Sequence, residues 1–134
     1  MERPDIDQQI TFLTTHDLAA TARFYETVLG FPLIVDQGTC RIYRVAGSAY
    51  VGFCQRPAAP VAAGDLILTL VTDDVDGWYA YLRALDVAFE APPEINQTYD
   101  IYQCFARDPN GYLIEIQRFL DHEWLGADGS TRGR

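Results

Sequence analysis

The sequence lacks any apolar run approaching the roughly 18 residues that a membrane-crossing helix needs. Its first residues, MERPDIDQQ, hold no apolar core of a secretory signal. No membrane partner is expected, and the cytoplasm is the default location. Basic residues are scarce: Lys and Arg total 10 against 19 Asp and Glu, a formal net charge of -9. So few cations exclude non-specific binding of polyanionic nucleic acid, which needs clustered Lys or Arg. The same imbalance suits a cationic ligand, although acidity also serves simply to keep a protein in solution. Cysteine is sparse too. Cys40, Cys54 and Cys104 are odd in number and none lies at CxxC spacing. They read as buried thiols in a reducing compartment rather than a disulfide framework or a zinc site. Neither His16 nor His122 stands at a recognisable distance from them.

What is present is enough for one domain spanning residues 1–134, 49% of it apolar. Ile10 to Thr15, rich in β-branched residues, reads as a strand. Asp17 is placed to cap a helix by accepting from the free N–H groups of its first turn. Leu18, Thr21, Ala22, Tyr25 and Leu29 recur at helical spacing, and Gly30 with Pro32 supplies the stop. Three short strands follow: Leu33 to Val35, Cys40 to Val45 and Ala49 to Cys54. The segment 56–65, with two prolines and no period, is a connector.

The order then begins again. Leu66 to Thr72 is a strand, Asp74 a cap, and Val75, Trp78, Tyr79, Leu82 and Leu85 a helical stripe. Val87 to Ala91 reads as a short strand ended by Pro92-Pro93. Tyr99 to Ala106 and Tyr112 to Phe119 are the last strands, joined by Asp108-Pro109-Asn110-Gly111, a tight-turn composition. Laying Asp17 on Asp74 lays Ile10 on Ile67. The fold expected is therefore α+β: two βαβββ modules whose curved mixed sheets face each other around a cleft. Module one covers about 8–55 and module two about 66–119. A single unrepeated α+β sandwich is the rival. The tail 120–134 begins as a possible helical turn and ends in a Gly-rich stretch expected to fray.

Asp17-Leu18, Thr21, Phe24-Tyr25 and Leu29-Gly30-Phe31, together with Asp108-Pro109-Asn110-Gly111 and Glu115, carry a family likeness. Over roughly residues 8 to 119 the chain resembles the vicinal oxygen chelate superfamily. That superfamily includes glyoxalase I, extradiol dioxygenases, fosfomycin-resistance enzymes and bleomycin-resistance proteins. The resemblance implies paired βαβββ modules and, in metal-dependent relatives, ligands from the first and last strands of each module around zinc, nickel, iron or manganese. Glu115 matches the last-strand position of module two. The first-strand positions fall on Ile10 and on Ile67 (Leu66 if the register slips), and the last-strand position of module one falls close to Gly52. None of these three can coordinate a metal. Gln9 is a rescue only if a bulge turns it inward, and two ligands fall short of a catalytic zinc centre. His16 and His122, which lie off the family positions, read as surface or locally bonded imidazoles. Homodimerisation is implied because short two-module relatives commonly pair.

Strand alternation puts Leu113, Glu115 and Gln117 on one face, and Ile114 and Ile116 on the face that packs on a helix. Glu115 is then a ligand anchor, a catalytic base or metal ligand, or an inherited residue without a role. Phe12, Thr14, Arg41, Tyr50, Thr69 and Tyr102 are the other ligand-binding candidates, and each aromatic has an ordinary core role as its rival. Arg107 reads as an anion contact or a surface salt bridge. Three functions compete: a small-molecule binder with a degenerate site and no cofactor, a metal-dependent lyase or isomerase of the glyoxalase type using Glu115, and a non-catalytic structural or regulatory module.

Overall fold

The computed structural model describes residues 1–57, 61, 63–120, 124–125 and 131–132. The chain divides into two compact units, Met1–Val61 and Ala62–Arg134, and each holds the same order of elements.

In the first unit β1 is Gln9–Thr15, α1 Leu18–Arg23, β2 Leu33–Asp36, β3 Cys40–Ala46 and β4 Ala49–Gln55. They form a four-stranded sheet in the order β1-β4-β3-β2. The β1–β4 pair is parallel and the others antiparallel. The helix starts because Asp17 accepts from the Ala20 N–H at 3.0 Å, while Gln55 Oε1 on β4 accepts from the Leu18 N–H at 2.9 Å. Instead of running on as a regular helix, the chain widens into a π-helical turn over Phe24–Val28, closed by Leu29 N–H to Phe24 O at 2.9 Å. Gly30 then takes a left-handed φ of +75° and ends it. The helix-side core is aromatic. The ring centroid of Tyr25 lies 4.5 Å from that of Phe53 and 6.2 Å from that of Tyr43. Beside them the buried hydroxyls of Thr15 and Thr21 are 2.8 Å apart, tying β1 to α1.

The second unit repeats this with β5 Ile67–Val71, α2 Val75–Ala84, β6 Glu94–Asn96, β7 Ile101–Arg107 and β8 Leu113–Phe119. Its sheet order is β5-β8-β7-β6, again with one parallel pair, β5–β8. The chain is thus α+β with two βαβββ modules, not one unrepeated sandwich. Asp74 caps α2 by accepting from the Gly77 N–H at 2.9 Å, and its carboxylate fills the space a Cβ at residue 77 would need. The Asp108–Gly111 turn closes with Gly111 N–H to Asp108 O at 3.0 Å. Asp108 Oδ1 also accepts from the Asn110 and Tyr112 N–H groups.

Three expectations need correction. Val87 to Ala91 is not a strand: only Phe89 makes a bridge, to Ala106, and the strand lies after the prolines at Glu94–Asn96. Pro92 and Pro93 have no N–H to give the ladder, so pairing with β7 breaks across them. Cys40 and Cys54 are not separate thiols but a disulfide. Antiparallel pairing sets them opposite one another with Cα atoms 4.1 Å apart, at a pair that exchanges no backbone hydrogen bonds, where side chains approach most closely. Cys104 is the free, buried one. In the tail, Trp124–Leu125 (β9) and Thr131–Arg132 (β10) pair as a short antiparallel ladder rather than fraying at 131–132. The helical turn expected at its start, and His122, lie outside the described residues. No helix of the described residues is long and apolar enough to cross a membrane.

Candidate functional site

In each module one sheet face packs on the helix and, among the described residues, the other carries no helix. Parity along the strands decides which side chain lies where. On β8, Ile114 and Ile116 are buried on the helix side, and Glu115, half-buried, points to the opposite face. There it sits in a row with Thr69 of β5 and Phe105 of β7. Thr69 Oγ1 donates to Glu115 Oε1 at 2.9 Å. This bond follows from the parallel β5–β8 register, which sets the two residues side by side. No Lys or Arg among the described residues forms an ion pair with Glu115; both such pairs belong to Arg41. Arg107, expected as an anion contact or a salt bridge, instead donates to Gly111 O at 2.8 Å and steadies the turn before β8.

On module one the helix-free face carries three rows: Ile10, Tyr50 and Arg44; then Phe12, Gly52 and Ile42; then Thr14, Cys54 and Cys40. Phe12 pairs with Gly52 as Thr69 pairs with Glu115, so Gly52 is the counterpart of Glu115 in the other module. A Cβ at residue 52 would come within 2.6 Å of two ring carbons of Phe12. The glycine lets that aromatic ring lie flat on the strand.

The candidate residues therefore separate. Phe12, Thr14 and Tyr50 share the helix-free face of module one, and Thr69 and Glu115 that of module two. Arg41 and Tyr102 do not belong with them. Arg41 shares its face with buried Tyr43 and bonds Glu26 Oε2 of the π turn at 3.3 Å, where the Tyr43 hydroxyl also donates at 3.0 Å. Burial, with the Glu26 bond beside it, pushes the Tyr43 phenol up to about 12. Tyr102 lies on the α2 side, in the row of Arg118, and donates to Asp76 Oδ1 at 2.6 Å. Both pin a helix to its sheet. Sequence reasoning missed Arg44, whose guanidinium carbon lies 5.6 Å from the centroid of the Tyr50 ring. Its alternation with Tyr43 was the available signal.

The residues at the superfamily's ligand positions do not fit a metal. Ile10, Ile67 and Gly52 offer no donor atom, leaving Glu115 as the single carboxylate. Gln9 does not rescue the site. β1 pairs with β4 in unbroken register, so Gln9 lies on the face opposite Ile10 and Phe12, and its amide donates to Thr11 Oγ1 at 2.9 Å. Among the described residues no group of three or more His, Cys, Asp or Glu is placed to hold an ion.

A family model described as Glyoxalase/Bleomycin resistance protein/Dioxygenase superfamily matches residues 8–116. No curated protein matches the chain in sequence. Among solved structures, a glyoxalase/bleomycin resistance protein/dioxygenase from Nocardioides is 21% identical with a TM-score of 0.73, covering 100% of this chain and 91% of that one. Lactoylglutathione lyase from Agrobacterium tumefaciens is 24% identical with a TM-score of 0.69, covering 87% and 96%. A bleomycin resistance determinant encoded on the transposon Tn5 is 24% identical with a TM-score of 0.69, covering 85% and 98%. At these identities the likeness of the three structures shows the fold alone. With most of its length matched by the family model, this chain belongs to the glyoxalase/bleomycin resistance protein/dioxygenase superfamily.

Proposed function

We propose that this protein binds a small organic molecule against a helix-free sheet face without using a metal, with Glu115 as a polar anchor on the face of module two. One observation carries the reading. At the four positions where metal-dependent relatives place ligands, only Glu115 can coordinate, and its counterpart is a glycine roofed by the Phe12 ring. A carboxylate fixed by the Thr69 hydroxyl and flanked by Leu113 and Phe105 suits recognition of a donor group on an otherwise apolar ligand.

The retained Glu115 and the likeness to a lactoylglutathione lyase favour a second reading, a metal-dependent lyase or isomerase. It needs ligands from outside this site, such as exposed His16 of a second copy in the expected homodimer. Metal analysis after chelator-free purification, with calorimetric titration of zinc, nickel, iron and manganese, separates the two. The metal-free reading expects less than one cation per chain and unchanged occupancy in Glu115→Gln. A stoichiometric cation held by three or more protein ligands would overturn it. The bleomycin-resistance likeness and the net charge of -9 make a cationic glycopeptide drug the first ligand to titrate. Absence of heat at near-millimolar concentrations removes that version alone. The Cys40–Cys54 disulfide weighs against the cytoplasm as the location, since structural disulfides belong to oxidising compartments.

A further inference from the structure

The helix-free face of module one gathers hydrogen-bond donors around one phenol. Arg44 Nη2 donates to the Tyr50 hydroxyl oxygen at 3.3 Å, and Gln8 Nε2 donates to the same oxygen at 3.2 Å. Tyr50 is only 9% exposed, so its ring and its oxygen are held in place while Arg44 and Gln8 reach it from the surface. A phenolic oxygen has two lone pairs and one proton. With the Gln8 amide oriented as it is, both lone pairs are engaged and the phenol proton is left to be donated. The remaining N–H groups of Arg44 and the second amide hydrogen of Gln8 are donors as well. No carboxylate among the described residues pairs with Arg44. Three donor groups and a fixed positive charge thus converge, in a chain whose net charge is -9.

A surplus of donors over acceptors is complementary to an anion. A guanidinium fork with one phenol beside it matches the two in-plane oxygens of a carboxylate. The acidity of the whole chain opposes a dianion more strongly than a monoanion. On the same face, Ile10 lies in the row of Tyr50, and Phe12, 50% exposed, lies in the next. These supply apolar and aromatic surface next to the donors.

We propose that Arg44, Tyr50 and Gln8 form an anchoring site for the carboxylate of a small planar organic acid whose apolar body lies against Ile10 and Phe12. This rests on the metal-free ligand-binding reading and names the class of ligand that module one takes.

The test is an NMR titration of the full chain with benzoate and with its neutral isostere benzamide, in the wild type, Arg44→Met and Tyr50→Phe. Benzoate is expected to bind at least about 10-fold more tightly than benzamide, the worth of a charge-assisted hydrogen bond, with shifts on β1, β3 and β4. Arg44→Met keeps the aliphatic stem and should erase that advantage while leaving benzamide unchanged. Tyr50→Phe keeps the ring and should lose part of it. Should Arg44→Met not fold, weakening of wild-type benzoate binding by added salt, with benzamide insensitive to it, carries the same information. Equal binding of the two probes by the wild type, or a benzoate advantage that survives in Arg44→Met, would sink the carboxylate site and leave small-molecule binding standing. If neither probe shifts this face, the ligand-binding reading of module one falls with it.

Discussion

Gly52→Ala is the sharpest probe of the helix-free face, because its effect depends on one neighbour. The new Cβ would lie 2.6 Å from Cδ1 and Cε1 of Phe12 and 3.3 Å from Cζ. Carbon atoms rest at about 3.5–4 Å, so close to 1 Å of overlap must be relieved. The backbone cannot yield readily, since β4 is bonded to β1 on one side and β3 on the other. The half-exposed Phe12 ring swings out instead. Full burial of such a side chain is worth about 1.5–3 kcal/mol, so losing half costs roughly 1 kcal/mol. Alanine regains about 0.5–1 kcal/mol over glycine in a strand. The single variant is therefore close to neutral, which by itself says little. In a Phe12→Ala background the clash is gone, and Gly52→Ala should stabilise by about 0.5–1 kcal/mol. The expected coupling across the double-mutant cycle is about 1 kcal/mol, read from urea denaturation of the four proteins followed by circular dichroism. A coupling within about 0.3 kcal/mol of zero, the additivity of independent sites, would show that the ring does not lie on Gly52.

Two further predictions concern the thiols and the phenols. Under denaturing, non-reducing conditions one thiol per chain should titrate, rising to three on reduction. Replacing Cys40 and Cys54 together by serine should lower stability by about 3 kcal/mol, from closure of a loop with sequence separation 14; three thiols without reductant would refute the pairing. At high pH, burial raises the folded-state pKa of Tyr43 from 10.0 to about 12 and that of Cys104 from 9.0 to about 11. Both groups hold their protons more tightly folded than unfolded. Their contribution is complete below the unfolded values and is lost as pH rises through about 9–11 for Cys104 and 10–12 for Tyr43. The slope is at most about 1.4 kcal/mol per pH unit for each group. Tyr43→Phe should flatten the alkaline fall of the urea midpoint above pH 10, and an identical fall in both proteins would contradict the assignment.

What was legible in the sequence was what is local. Asp17 and Asp74 are caps, Gly30 is a stop and Asp108–Gly111 is a turn because each acts within a few residues of itself. The helix side of β8 could also be read, since Ile114 and Ile116 alternate with polar neighbours. On β3 the alternation failed. Ile42 and Tyr43 are adjacent and both buried, one on each face. The pattern therefore has no apolar side to choose, and Arg41 and Arg44 could not be told apart. Tyr102 was misplaced for a related reason, because Ile101 and Cys104 are both buried from opposite parities of β7. The disulfide needed the β3–β4 register, and the π turn is a local widening of the helix; spacing alone contains neither. The place of Glu115 beside Thr69 came from strand pairing, although its face was readable.

The parallel pairs set an order of events during synthesis. Gln9 of β1 finds its ladder partner only when Ala49 has been made, and Ile67 of β5 waits in the same way for Leu113. The antiparallel β3–β4 and β7–β8 ladders join neighbouring segments and can close early, whereas each first strand must stay unpaired until its module is nearly complete. The strand that emerges first is thus the last to be sheltered. In pulsed hydrogen exchange during refolding, the amides of β1 and β5 should gain protection after those of β3, β4, β7 and β8. The long-range bond from the Leu18 N–H to Gln55 Oε1, which joins the start of α1 to the end of β4, would be the latch that seals module one.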